Sequence, residues 1–292
     1  MKNLIVRSLS GIAFLIIVIG SVLFGPITFA VVFGLIMILA IYEFLTISIG
    51  EKYRARFIVA KSLTIVAAIS LYVNSFLVFG YGYSPKLMLF TIIPIFFVLI
   101  SNLYVKGFNI HNNTNIDGEE SRSNNGYEIF PFTITSLVYI ALPFSMSSLI
   151  LFKNGSYDGS LFLSMLIMLW ATDVGAYCFG STLGQKYNHR LFLSISPKKS
   201  WEGFWGGLFS SIAVGIILFY VNYLQLNIIQ SIVLSIIICI FGVLGDLIES
   251  QFKRNYRVKD SGSIMPGHGG MLDRFDGALI AFPIAIIYLL FI

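Results

Sequence analysis

The sequence predicts an all-α polytopic membrane protein, and three features lead there. Hydrophobic residues fill 57% of the 292 positions and charged residues only 11%, where a soluble domain carries about 25% charge. The apolar residues fall in long runs, and a helix crossing a bilayer needs roughly 20 of them. The cations gather between the runs, on alternate connections.

Taken in order, the runs give nine expected spans at 8–25, 27–48, 57–79, 86–105, 129–151, 160–180, 203–222, 227–249 and 275–292. Lys2 and Arg7 precede the first run as in a signal peptide. No small-residue cleavage site stands out and a second run follows at once, so an uncleaved first span is expected. Gly25-Pro26 marks a tight turn between the first two spans. Residues 107–128 are rich in Asn, Ser and Gly and read as a polar flexible loop. They divide amino-terminal spans (1–106) from a carboxy-terminal, site-bearing part (129–292). There is no internal repeat. Cys178 and Cys239 both fall in spans, which offers no disulfide framework or zinc site.

The cations set the orientation. With the amino terminus inside, sixteen lysines and arginines fall on cytoplasmic connections and only Lys86 and Lys153 outside, Lys61 lying just within the third span. Cytoplasmic loops favour Lys and Arg in this way, so the amino terminus is expected inside and the carboxy terminus outside. The same distribution accounts for the net charge of +5 without nucleic acid, which is not expected as a partner.

The most polar stretch is Ser250 to Gly277, with Lys253, Arg254, Arg257, Lys259 and Arg274 interleaved with Asp260, Asp273 and Asp276. If the preceding run is a helix, Asp246, Glu249, Ser250, Lys253 and Arg257 share one face. Asp173 and Asp246 lie inside spans near their cytoplasmic ends. A carboxylate there is expensive and marks function by default; the alternative is a hydrogen bond to a neighbouring helix. Glu249 could merely pair with Lys253. Asp273 and Asp276 open the last span, where interaction with the helix dipole is the plain alternative. Hard oxygen ligands on one edge suit Mg²⁺ and the phosphates it bridges, with a second cation left open.

Lys198 and Lys199 follow Pro197 at an expected helix start, with Ser200 and Glu202 able to cap or pair. That makes an anion site, against plain positive-inside charge. Gly267, Gly269 and Gly270 around His268 let backbone amides approach an anion, while a structural histidine fits the spacing equally. Gly175, Gly180 and Gly184 read as close helix approaches. Trp201 and Trp205 read as interface anchors. Glu43, near the cytoplasmic end of the second span, could line the same site, with interface charge the stronger reading.

Together these residues resemble the phosphatidate cytidylyltransferase (CDP-diacylglycerol synthase) family. Its signature runs here through Ser250, Phe252, Lys253-Arg254, Lys259-Asp260, Gly262, Met265, Pro266, His268-Gly269-Gly270, Met271, Asp273-Arg274, Phe275 and Asp276. GDLIES, SPKKSWEG and the DxGAY around Asp173 support it, from about residue 165 to 280. The resemblance implies an enzyme that joins CTP and phosphatidic acid into CDP-diacylglycerol and pyrophosphate with Mg²⁺. A site at the cytosolic membrane edge fits a bacterial inner membrane or an organelle equivalent, and the compactness of the chain favours the bacterial one. It implies Asp246 and Asp273, then Asp173 and Asp276, as metal ligands or their partners. Lys198, Lys199, Ser200, Lys253, Arg254, Lys259, His268, Gly269, Gly270 and Arg274 would hold the phosphates. Stretch 203–216 offers a small-residue face for a homodimer.

Three other readings fit less well. A secondary transporter would place its charges at the midplane between repeated halves. A CDP-alcohol phosphotransferase would need an aspartate-rich helix motif that is not found here. A scaffold would have no reason to gather four acids and six cations around two loops.

Overall fold

The computed structural model describes residues 2–49, 54–103, 129–153, 155–184 and 189–292. The expected flexible loop at 107–128, with Lys52, Lys106, Arg122 and Lys186, lies outside the described residues. Helices dominate: α1 (Lys2–Leu23), α2 (Pro26–Ile49), α3 (Arg54–Ser75, prolonged by a π turn at Phe76–Gly80) and α4 (Ile92–Leu103, entered through a 3-10 turn at Pro85–Thr91). After them come α5 (Ile129–Ser136), which passes through a π turn at Leu137–Ala141 into α6 (Leu142–Met146), and α7 (Ser160–Phe179, prolonged at Gly180–Gly184). The chain ends in α8 (Trp201–Tyr220), α9 (Ile228–Asn255) and α10 (Leu272–Leu290).

Two antiparallel hairpins interrupt this pattern, β1 (Phe152–Lys153) with β2 (Ser156–Tyr157) and β3 (Arg190–Phe192) with β4 (Ser196–Ser200). An expectation built on long apolar runs omits them because each lies in a connection between those runs.

A helical segment overlies each of the nine expected runs. Among the described residues, six helices are long and apolar enough to cross a membrane: Pro26–Ile49, Ile58–Gly80, Ile129–Leu149, Ser160–Gly184, Trp201–Tyr220 and Ile228–Asn255. Arg7–Leu23 and Pro85–Ser101 are apolar but shorter. α10 has 19 residues, three of its first five charged. The protein is therefore a multi-pass, mainly helical membrane protein.

Local chemistry sets the helix ends. Gly25 takes φ +126 and Pro26 opens α2, which is the tight turn expected there. Asn227 Oδ1 accepts from Gln230 N (2.8 Å) and Gln230 Oε1 from Asn227 N (2.9 Å), a capping box that starts α9. α9 then runs six residues past the expected end of its span, to Asn255, with Lys253 and Arg254 in its last turn, where cations suit the dipole. Arg257 therefore does not share the helix face expected for it. It lies beyond the helix with φ +56.

Aromatic rings fill the centre of the bundle. Phe29 stacks on Phe33 at 4.2 Å, and Phe162 meets both edge-on at 4.9 and 5.1 Å. Phe275 of α10 packs edge-on against Phe33 at 5.9 Å. The C-terminal ends of α2, α7 and α9 and the N-terminal ends of α1, α8 and α10 meet at one end of the bundle, which is where the polar residues collect.

Candidate active site

Glycines decide which carboxylates meet. α9 and α10 touch backbone to backbone at Gly245 and Gly277. A Cβ on Gly245 would stand 2.6 Å from the Asp276 carbonyl oxygen and 3.0 Å from Gly277 Cα. Asp246 follows Gly245 and Asp276 precedes Gly277, so this crossing sets the two aspartates side by side. α7 approaches α8 as closely: a Cβ on Gly203 would lie 2.9 Å from Ala176 O, and one on Gly207 2.9 Å from Thr172 O. Gly175 is packed against Gly206 and Ser210, Gly184 against Ser200. Gly175, Gly180 and Gly184 are thus close helix approaches, as expected, and they bring Asp173 to the same place. Phe275, buried between Arg274 and Asp276 in sequence, turns both neighbours away from the aromatic core.

Two cavities meet at Asp173 and Asp246, which line both. The inner one, about 30 Å³, adds Asp276, Arg274, Trp170 and Phe14. The outer one, about 220 Å³, adds Lys198, Lys199, Ser200 and Tyr177. Lys199 Nζ lies 2.6 Å from Asp246 Oδ2, and Ser250 Oγ donates to Asp246 Oδ1 at 3.1 Å. Asp173, Asp246 and Asp276 repel one another here, with Lys199 and Arg274 as counter-charges to Asp173. Lys198 and Lys199 sit on β4 rather than at a helix start. Helix α8 begins one residue after Ser200, whose Oγ accepts from Gly203 N at 3.1 Å as its cap. The strand carries the lysines along the cavity mouth, and the helix end adds its positive dipole.

The remaining signature residues build a bound loop instead of lining either cavity. Asp273 Oδ1 accepts from Lys253 Nζ at 2.6 Å, and its Oδ2 accepts from Ser261 N at 2.9 Å and Gly270 N at 2.8 Å. Lys253 Nζ also lies 2.5 Å from Glu249 Oε2. Lys253 and Asp273 are thereby tied to the protein itself, and the Gly270 amide is committed to Asp273. Gly267 and Gly269 take positive φ (+75 and +86), the turn that brings Met265 N to Gly269 O at 3.0 Å. Arg274 Nη2 donates to His268 O at 2.8 Å, and His268 Nδ1 lies 2.9 Å from Ser10 Oγ of α1. Burial, Arg274 and Arg7 hold the His268 imidazole below its ordinary pKa. Arg254 and Lys259 are exposed beside this loop.

Two parts of the arrangement were missed in the sequence. Glu43 is not interface charge. It is 3% exposed and accepts from Ser261 Oγ, Met271 N and Leu272 N, each at 2.9 Å. The signal was available, since Glu43 is an ionisable residue inside an apolar span just as Asp173 is. Ser10 and Phe14 gave no such signal, because only the fold brings α1 against the loop and the inner cavity.

The cavity's donors fit a hard divalent cation. Asp173 is exposed to the cavity and Asp246 and Asp276 are half-buried, all of them oxygen ligands. Among the described residues no three His, Cys, Asp or Glu side chains form a ready cage. Mg²⁺ asks for none, since one or two carboxylates, waters and substrate phosphates complete its shell.

The chain matches the Cytidylyltransferase family from residue 5 to residue 292. It belongs to that family. Among its relatives is the phosphatidate cytidylyltransferase of Staphylococcus haemolyticus, 44% identical over 161 residues, covering 54% of this chain and 58% of the relative. Those of Staphylococcus aureus and Staphylococcus epidermidis are 40% identical over 159 residues, with the same coverage. The chain thus spans under two thirds of the length of the curated relatives it matches.

Proposed function

We propose that the protein is a nucleotidyltransferase that joins CTP to phosphatidic acid, giving CDP-diacylglycerol and pyrophosphate in phospholipid synthesis. The observation that carries this is the paired cavity, with three carboxylates inside and Lys198, Lys199 and a helix N-terminus at its mouth. Family membership and the names of the relatives support the reading. The nine expected spans and the cation distribution support an amino terminus in the cytoplasm and a site at the cytosolic membrane edge. The bacterial relatives support placement in a bacterial inner membrane.

The mouth receives the triphosphate: Lys198 is exposed and free of ion pairs among the described residues, and Lys199 can exchange Asp246 for phosphate. Asp173, Asp246 and Asp276 would hold Mg²⁺, which when bound neutralises charge on the triphosphate and the departing pyrophosphate. A phosphate oxygen of phosphatidic acid attacks the α-phosphorus of CTP; that P–O bond forms as the bond to the β-phosphate bridge breaks, and pyrophosphate leaves. The phosphate dianion has a second pKa near 6, so the protein needs no strong base. Its part is to hold both phosphates in line and oppose their charge. Arg274, which lines the inner cavity, would meet the lipid phosphate. Trp205 and Phe209 are exposed along α8, as suits a lipid arriving sideways from the bilayer.

Transfer of label from CTP into lipid by purified protein tests the reading. Mg²⁺-dependent label in a CDP-lipid is expected, and folded protein that gives none would overturn it.

A further inference from the structure

Helix α10 carries Asp273, Arg274 and Asp276 in its first turns, yet its N-cap side chain makes no capping bond, and the preceding loop supplies only Ser261 Oγ, 3.4 Å from Asp273 N. Its N-cap residue is Met271, whose side chain cannot accept a hydrogen bond there. Helices are ordinarily capped by a nearby Ser, Thr, Asp or Asn. Here the acceptor comes from α2, more than 200 residues away in sequence: Glu43 takes the Met271 and Leu272 amides and the Ser261 hydroxyl. All three donors are neutral, so a whole buried negative charge is spent on holding one helix start and one loop. The loop is shaped around that charge. A Cβ on Gly262 would stand 2.5 Å from Glu43 Oε1, and one on Gly270 would collide with both Ser261 Oγ and Glu43 Oε2. Glu43 itself lines neither cavity.

We propose that Glu43 is a positioning residue for the transfer reaction: by capping α10 from α2 it fixes the register in which Asp276 and Arg274 face Asp173 and Asp246. This rests on reading the carboxylate cavity as the reaction site. A carboxylate is required because acceptors must face donors on both of its oxygens. A glutamine would turn an NH₂ group toward one of the amides, and the start of α10 would shift. Small displacements of groups that hold reacting phosphates are costly in rate. Substrate affinity at the cavity mouth, built by β4 and α8, is untouched by such a shift.

The test uses the full chain in lipid nanodiscs, comparing wild type with Glu43→Gln, Glu43→Asp and Ser261→Ala. Two quantities are read: kcat and KM for CTP per folded molecule, and hydrogen exchange of the peptide spanning 261–272. For Glu43→Gln, kcat is expected to fall at least tenfold with KM for CTP within threefold, and exchange in 261–272 to quicken at least tenfold. Ser261→Ala, which leaves both amide bonds to Glu43 in place, removes only the hydroxyl's bonds to Glu43 and Asp273 N and keeps the fold if Glu43→Gln does not, is expected to lower kcat two- to fivefold. Glu43→Asp is expected to recover part of the lost kcat. Faster exchange with kcat unchanged would make Glu43 a structural cap alone and overturn the proposal, as would unchanged exchange. If wild type itself transfers no cytidylyl group, the reading of the cavity falls and the positioning role falls with it. Wild-type turnover with undiminished Glu43→Gln and Ser261→Ala turnover would overturn the positioning role alone.

Discussion

Single residues divide here between the cavity and its support. Asp246 faces both cavities, paired to Lys199 at 2.6 Å, so Asp246→Asn keeps the shape and removes the charge. Turnover should fall by about 10²-fold or more, with the protein still inserted in the membrane; a CTP-incorporation assay on purified variant checks this. Asp273 looks similar in sequence but holds Lys253 and two backbone amides. The sequence pointed to both positions alike and could not separate them, because partners such as Gly270 N and Ser261 N are made by the folded loop. His268 gives a pH signature. The fold lowers its pKa by burial beside Arg274 and Arg7, so the unfolded chain binds the proton more readily. Stability should therefore hold above an unfolded value of about 6.5 and decline as pH falls through the lower folded pKa. Melting curves from pH 8 to 5 should show this slope in wild type and a shallower one in His268→Gln.

At the scale of elements, the α9–α10 crossing sets Asp246 beside Asp276. Gly245→Ala puts a methyl group 2.6 Å from a backbone carbonyl of the partner helix. Overpacking of this kind costs about 1–3 kcal/mol, so a lower melting temperature and a larger loss of turnover than of CTP affinity are expected. Differential scanning with kinetics on the same preparation would show both. In the proposed reading the β3–β4 hairpin holds the triphosphate. Lys198→Ala should raise KM for CTP about tenfold, since a hydrogen bond to a charged group contributes about 1.5–3 kcal/mol, and leave the melting temperature unchanged. The helices were legible in sequence because apolar length and turn residues such as Gly25-Pro26 report them directly. The hairpin was not, since Ser196–Ser200 is a polar run with no alternation to mark a strand, and its pairing with Arg190–Phe192 depends on β3 lying opposite.

Over the whole molecule, the site joins segments from both sides of residues 107–128. α1 gives Ser10 and Phe14, α2 gives Glu43, and α7 to α10 give the rest. Intramembrane carboxylates and the cation bias pointed to one end of the bundle, and the helix ends do converge there. What the sequence hid is long-range: which carboxylate faces which, and that a glutamate of the second helix holds the signature loop. Cysteine accessibility at Lys198→Cys and at Lys153→Cys in intact cells should show the first labelled only after permeabilisation and the second labelled directly, given a cytosolic site.

The measurement that bears most directly on the whole account is transfer of labelled CTP into phosphatidic acid by the purified chain, with and without Mg²⁺, beside Asp246→Asn. Label appearing in a CDP-lipid only with the metal, and lost in the variant, is the predicted result. Folded wild type that leaves the lipid unlabelled, or a variant as active as wild type, would contradict it.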